Sequence, residues 1–339
     1  MKILITGGAG YIGSHTCIEL LNNGYEVVIV DNYCNSHHNI IDSMKQITGR
    51  DFKSYESDLR NIEQFESIFY ENEFDAVIHF AALKSVPEST AKPLLYYENN
   101  VGGTINLLKT MKKYSVNNLV FSSSATVYGD KNCVPYKEDM PLSATNPYGW
   151  TKVMIEQILK DFTVSDKEMS IAILRYFNPV GADKSGLIGE HPEGIPGNLM
   201  PYICQTAAGI LPFLKVCGTD YNTIDGTGIR DYIHVCDIAK GHLKALERLN
   251  SINGTEVYNL GSGKGTSVYE LIHTFEKATG IQIKQKEWER RPGDIAESYA
   301  DVTKAERELN WSGKLSLEDM CIDSWNYIKH NYNIKDMQQ

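Results

Sequence analysis

The chain has 339 residues, enough for two lobes or for one large domain with an appendage. Hydrophobic residues make up 42% and charged residues 22%, the balance of a folded globular protein rather than a disordered or fibrous one. A formal net charge of -10, with no block of lysine or arginine, argues against a nucleic-acid or anionic-membrane partner, so any phosphate must be held by local donors.

In chain order, "KILIT" (2–6) reads as a buried strand. It runs into the glycines of "ITGGAGYIGSH" and then a helix from about Ile12 to Asn23. "YEVVIVD" (25–31), "AVIHFAA" (76–82), "NLVFSSS" (118–124) and "MSIAILRYF" (169–177) are further apolar strands. Helical stretches lie between them, including 65–72 and 100–114. Short continuous apolar strands alternating with helices predict a parallel α/β sheet covered on both faces. From Asn178 to Arg230 the chain is rich in Gly and Pro, and helical or strand patterns return at 234–250, 256–261 and 267–280. The layout predicted is a nucleotide-binding Rossmann-type doubly wound domain over 1–177 and a smaller C-terminal α/β substrate lobe over 178–339. Late segments such as 234–261 are expected to pack back on the first domain.

Gly8, Gly10 and Gly13 give G-x-G-x-x-G, and Gly7 adds a second register. The motif follows a strand and opens a helix, the context in which backbone N–H groups and a helix N-terminus hold a pyrophosphate. Asp31 ends the second strand, where a carboxylate accepts from an adenosine ribose and repels a 2′-phosphate. That favours NAD over NADP, as does the absence of Lys and Arg from "DNYCNS" (31–36).

In "NPYGWTK" (146–152), Asn146 suits an N-cap and Pro147 a first helical position. Tyr148 and Lys152 then lie one turn apart on one face, with Met154, Ile155, Ile158, Leu159 and Phe162 as the apolar stripe. A tyrosine pKa near ~10 must fall by about 3 units, roughly 4 kcal/mol, for half-ionisation at pH 7. A lysine and a nicotinamide cation in a closed site can supply that. The bland alternative pairs Lys152 with Glu156 on a solvated helix face. The serines 122–124 fall at the C-terminal end of a parallel strand, the edge where such sheets bind ligands, and turn the reading towards a Ser–Tyr–Lys set.

Together with "VIHFAALKSVPES", "YYENNVGGT", "FSSSATVYGD", "LRYFNPVGA", "IPGNLMPYI", "DGTGIRDYIHV" and "RRPGD", these motifs resemble the extended short-chain dehydrogenase/reductase family over nearly the whole chain. Within it they are most similar to the enzymes of galactose metabolism that epimerise UDP-glucose and UDP-galactose at C4. The resemblance implies a retained NAD, a transient 4-keto sugar and a homodimer formed through the helices near 100–114 and 148–163. It implies Tyr148 as the base, Ser124 as hydrogen-bond partner of the reacting oxygen, and Lys152 as the group that lowers the Tyr148 pKa. It assigns the cofactor to Gly7, Gly10, Tyr11, Ile12, Gly13, Asp31, Asn32, Tyr33, Cys34, Asn35, Ser36, Asp58, Leu59, Phe80, Ala81, Ala82, Leu83, Lys84, Asn99, Ser124, Tyr148, Lys152 and Phe177.

By the same resemblance the UDP-sugar meets Lys84, Ser124, Tyr148, Asn178, Asn198 and Leu199, with Lys215, Val216 and Cys217 around uracil. Arg230 and Arg291 meet the diphosphate and Asp294 the uridine ribose. An acidic protein binding a diphosphate needs such forked local donors. Surface ion pairs with Asp231 or Asp294 are the alternative for the two arginines. Ungapped alignment puts Ser298 at the position guarding the sugar 2-substituent, where a small residue admits an N-acetyl group; a one-residue shift would put Tyr299 there. A related 4,6-dehydratase would need an Asp-Glu pair after the position of Ser124, and this chain has Ala125 and Thr126.

The nine histidines show no metal-ligand spacing, and no metal is expected. Seven cysteines without a C-x-x-C pair predict inert, buried thiols in a reduced, cytoplasmic protein. No run approaches the ~18 apolar residues of a spanning helix.

Overall fold

The structure is a computed structural model that describes residues 1–192, 196–291 and 293–332. Residues 193–195, Pro292 and 333–339, all in the stretch assigned to the second lobe, lie outside the described residues.

The first half alternates as the apolar runs require. Its elements are β1 (Lys2–Thr6), α1 (Tyr11–Asn22), β2 (Glu26–Asp31), α2 (Asn39–Thr48), β3 (Lys53–Glu56), α3 (Ile62–Glu71) and β4 (Ala76–His79). α4 (Val86–Ala91), α5 (Pro93–Tyr96), α6 (Gly103–Lys113), β5 (Asn118–Ser124), α7 (Pro147–Ser165) and β6 (Ser170–Tyr176) follow. Most boundaries fall within a residue of the sequence reading, but β4 ends at His79 rather than at 82, and two helix starts also differ. α3 starts at Ile62, because the Asn61 side chain accepts from the Gln64 N–H and caps it there. α6 is entered through a π-helical turn (Tyr97–Gly102), in which buried Asn100 exchanges two hydrogen bonds with the Leu83 backbone.

The second half contains β7 (Asn178–Val180), α8 (Leu199–Ala207), β8 (Leu214–Cys217), β9 (Ile229–Arg230), β10 (Tyr232–His234), α9 (Val235–Arg248) and β11 (Gly254–Leu260). β12 (Thr266–Ser267), α10 (Val268–Thr279), β13 (Gln285–Trp288), β14 (Glu297–Ser298), α11 (Thr303–Leu309) and α12 (Leu317–Asn331) complete it. Among its described residues the Gly/Pro-rich stretch from 178 to 230 therefore holds three short strands and a helix as well as loops.

Seven strands form one parallel sheet in the order β11-β6-β5-β4-β1-β2-β3. Alternate residues of each strand feed opposite faces. Ile3, Ile5, Val27 and Ile29 pack with Cys17 and Leu20 of α1 and with Ile238 and Leu243 of α9. Leu4, Val28 and Val30 pack with Phe65, Leu107 and Leu159 on the other face. So β11 extends the main sheet beside β6, and α9 shares a core with α1. A separate core of Met200, Ile203, Leu214, Leu271, Phe275 and Trp325 holds the smaller lobe. Its pairings are short: β12-β9-β14, β13-β8 and β10-β7. The winding direction reverses between β1 and β4, which opens a crevice at the C-terminal edge of the sheet.

Two expectations need correction. Met154 is 42% exposed, so the inward stripe of α7 is Ile155 and Leu159, with Ile158 and Phe162 partly covered. Of the cysteines, Cys17, Cys204 and Cys321 are buried but Cys34 and Cys133 are exposed, because they sit in polar loops after β2 and β5. No helix among the described residues is long and apolar enough to cross a membrane. Among those residues no three His, Cys, Asp or Glu converge as a metal site.

Candidate active site

The glycine turn is built for close approach. Gly7 takes φ +69, and a Cβ there would meet Ala81 N at 2.6 Å, in the loop after β4. A Cβ at Gly13 would collide with the Gly7 carbonyl, so the helix packs directly on the turn. At the N-cap of α1, Gly10 makes no side-chain capping bond, and the first turn holds no acidic residue. The first N–H groups of Tyr11, Ile12 and Gly13 thus stand at an uncapped, electropositive helix end, which suits a pyrophosphate.

Asp31 Oδ2 accepts from Ala9 N at 3.0 Å, and Oδ1 accepts from Tyr33 N at 2.9 Å and Ser36 Oγ at 3.0 Å. Burial pushes its pKa up, and these bonds oppose that. The carboxylate therefore ties the end of β2 to the glycine turn. Asn32 donates to Asp58 at 2.8 Å, and the Arg60 fork on Asp58 holds that carboxyl well below its usual range. Cys34 and Asn35 continue the exposed loop, and Leu59 is buried beside Asp58. Phe80 N and Ala81 N bond to Thr6 O, which sets the start of 80–84, with Ala82 next in chain, directly against the turn. Asn99 donates to Asn100 Oδ1 at 3.0 Å, and Phe177 packs against the rings of Tyr128 and Tyr136.

The three serines meet one helix. Asn146 caps α7 by accepting from Gly149 N at 2.9 Å, with Pro147 at the first position. Tyr148 is half-buried, and burial raises its pKa while a hydrogen bond with Ser124 lowers it. Ser124 Oγ also accepts from Thr126 N at 3.3 Å and Thr126 Oγ1 at 3.0 Å. Lys152 is buried, donates to Ser122 O at 2.6 Å, and lies 4.8 Å from the Phe121 ring centre. Burial pulls its pKa to about 7, opposed by the Glu156 charge.

Glu156 does not pair with Lys152. It accepts from Ser123 Oγ at 2.6 Å and from Arg175 Nε and Nη2 at 3.0 and 2.6 Å. The solvated-face alternative thus fails, because Glu156 is buried and committed elsewhere. Sequence reasoning missed Arg175 and Asn100, and considered Glu156 only as a surface partner of Lys152. Arg175 did carry a signal, a charge in the middle of the apolar run "IAILRYF", where only a partner makes burial tolerable.

On the second lobe, Asn178 opens β7 and its N–H bonds to Asp231 O at 2.9 Å. Asn198 stands at the N-cap position of α8 without a side-chain capping bond, and Leu199 begins the helix. Lys215, Val216 and Cys217 lie in β8, with Lys215 Nζ 4.2 Å from the Trp288 ring centre. Arg291 Nε meets Asp294 Oδ2 at 2.8 Å, and Arg230 Nη2 lies 3.8 Å from Asp294 Oδ1. Asp231 is instead buried beneath β9, accepting from Ser262, Gly263 and Ala300. A chain of contacts joins these groups to the first domain. Arg291 reaches Gly197 O at 3.4 Å, Asn198 donates to Glu190 Oε1 at 2.7 Å, and Lys84 Nζ donates to the same oxygen at 3.1 Å. In the β14–β9 register Ser298 stands opposite Arg230, on its face of the ribbon. Tyr299 falls on the other face, its ring against Gly265.

A seven-stranded parallel sheet, a glycine turn at its switch point and a Ser–Tyr–Lys set at its C-terminal edge define an extended short-chain dehydrogenase/reductase. The family model described as GDP-mannose 4,6 dehydratase matches residues 4–324. The UDP-glucose 4-epimerase of Bacillus subtilis (strain 168) is 57% identical over 333 residues, 98% of each chain. A crystal structure of UDP-glucose 4-epimerase from Bifidobacterium longum, in complex with NAD+ and UDP, superposes with a TM-score of 0.95 at 51% identity, over 99% of this chain and 100% of that one. The enzyme from Stenotrophomonas maltophila, solved with NAD and formylated UDP-arabinopyranose, gives 0.96 at 48%, over 99% and 100%. The chain belongs to the UDP-glucose 4-epimerase family.

Proposed function

We infer that this enzyme interconverts UDP-glucose and UDP-galactose at C4 through a transient 4-keto sugar, using a bound NAD. The convergence of Ser124, Tyr148 and Lys152 beside the glycine turn carries the reading. The uncapped end of α1 and the glycine cradle would hold the pyrophosphate, Asp31 to Ser36 the adenosine side, and Lys152 the nicotinamide ribose. When bound, NAD supplies the acceptor and donor of the C4 hydride. Tyr148 takes the proton of the sugar 4-hydroxyl and later returns it. Ser124 hydrogen-bonds the reacting oxygen throughout. In a ligand-free pocket, burial keeps Tyr148 protonated, so a neighbouring cation must offset it. Dehydration is disfavoured: Ala125 carries no acid, and the Thr126 hydroxyl donates to Ser124.

Ser298 lies opposite Arg230 and is a small residue at the position read as guarding the sugar 2-substituent. On that ground the enzyme also accepts UDP-N-acetylglucosamine and UDP-N-acetylgalactosamine. It works as a cytoplasmic homodimer, a reading that fits its seven free thiols and the apolar outer face of α7. Both substrate pairs should be assayed with wild type, Ser298→Tyr and Tyr148→Phe. Wild type should turn over both pairs, and Ser298→Tyr only the unacetylated one. Tyr148→Phe should keep its fold and NAD but lose about 10²–10⁴-fold in rate. Near-normal turnover by Tyr148→Phe would refute the assigned base, and no N-acetyl turnover by wild type would refute the wider specificity.

A further inference from the structure

Tyr221 is 8% exposed, and its hydroxyl is buried with no hydrogen-bond partner among the described residues. Such a group costs stability and calls for a reason. The ring is firmly held. The Arg290 guanidinium carbon lies 4.1 Å from its centre, and Arg290 is itself fixed by Asp220 Oδ1 and the Asp220 carbonyl, both at 2.7 Å. Gly218 (φ +80) fits against both groups: a Cβ there would sit 2.5 Å from Tyr221 Cε2 and 2.9 Å from Arg290 Cγ. Gly218 directly follows Cys217 of β8, and Tyr221 N is anchored to Gly226 O at 2.9 Å. Burial and the Asp294 charge push the Tyr221 pKa up, and the Arg290, Arg230 and Arg291 charges pull it down. The unpaired donor thus belongs to a ring stacked on Arg290, the chain neighbour of Arg291, and packed on Gly218, which follows the candidate uracil residues Lys215, Val216 and Cys217. No ordering entropy remains to be lost when it finds an acceptor.

We propose that Tyr221 is a substrate-binding residue whose hydroxyl donates to a diphosphate oxygen of the bound UDP-sugar. This rests on reading the second lobe as the UDP-sugar site. Among groups brought by that ligand, phosphate oxygens are the acceptors that Arg230 and Arg291 would place nearby.

The test titrates UDP and uridine separately into NAD-loaded wild type and Tyr221→Phe, with melting curves of each protein without nucleotide. The hydrogen bond to a charged oxygen predicts that Tyr221→Phe weakens UDP binding about tenfold. The KM for UDP-glucose should rise by a similar factor with kcat held. Uridine affinity should not change, and the nucleotide-free melting temperature should not fall, because the substitution removes an unsatisfied group. Wild-type UDP affinity in Tyr221→Phe would overturn the proposal. An equal loss with uridine would overturn the phosphate assignment. Wild type that binds no UDP would overturn the site reading itself, and the proposal with it.

Discussion

At the scale of the residue, Lys152 is the group most at odds with its surroundings. Its ammonium is buried, faces the Phe121 ring and has one carbonyl acceptor, Ser122 O. Desolvation sets its pKa to about 7, against ~10.4 for an unfolded lysine. Between those values the unfolded chain binds the extra proton, so the stability linked to this residue rises with pH. Below about 7 both states are protonated and the burial cost stands in full. Lys152→Met should therefore stabilise the ligand-free protein most near pH 6, with a gain that shrinks as pH rises through 7 towards 9. Melting temperatures of both proteins across that range check this; a gain independent of pH would mean that Lys152 is not the titrating group. The same lysine should be needed once the site is loaded, because only the charged form can lower the Tyr148 pKa. Its instability in the free protein and the catalytic role proposed for it are two sides of one burial.

At the scale of the element, α7 is fixed to β5 by three rungs. Tyr148 meets Ser124, Lys152 meets Ser122 and Glu156 meets Ser123. The last rung is extended by Arg175 of β6, which also bonds Tyr128 Oη and Glu138 O at 3.0 Å each. Removing one member of a buried ion pair leaves an uncompensated charge and costs about 3–5 kcal/mol. Glu156→Met or Arg175→Leu alone should each lower the urea midpoint sharply, while the double variant should recover much of the loss. Equal or additive losses in the double variant would show that the pair is not coupled. Sequence showed only part of this. Asn146-Pro147 and the Tyr–Lys spacing were legible because capping and helical period are local. The partner of Glu156 was not, since Arg175 lies in another strand and only the sheet order brings it close. The π turn before α6 leaves no periodic trace; it follows from Asn100 bonding to Leu83.

At the scale of the whole molecule, an acidic protein must present its few cations to an anionic ligand without a favourable overall field. Here Arg230 and Arg291 are held by Asp294, and Lys84 by Glu190, so the cations of the crevice stay ordered in the free protein. Glu190 also accepts from Asn198, which links the loop after β4 to the cap of α8. The crevice thus spans both halves of the chain, and its second wall could not be read from the short strands between 178 and 298. The outer surface carries a different signal. Trp150 is 39% and Met154 42% exposed, one turn apart on α7, and Leu94 of the adjoining α5 is 80% exposed. These side chains face away from Ile155 and Leu159. Large apolar groups gathered on one helix face mark a contact surface. A two-fold dimer through this face meets every residue twice, so one substitution is felt in both partners. Met154→Glu should place two like charges at that contact and halve the mass in sedimentation, leaving the far-ultraviolet circular dichroism unchanged because Met154 contributes little to the core. A dimer that persists in both Met154→Glu and Trp150→Glu would put the interface on another face. Because α7 also carries Tyr148 and Lys152, separation of the partners should lower the turnover rate more than it lowers the melting temperature of the isolated chain.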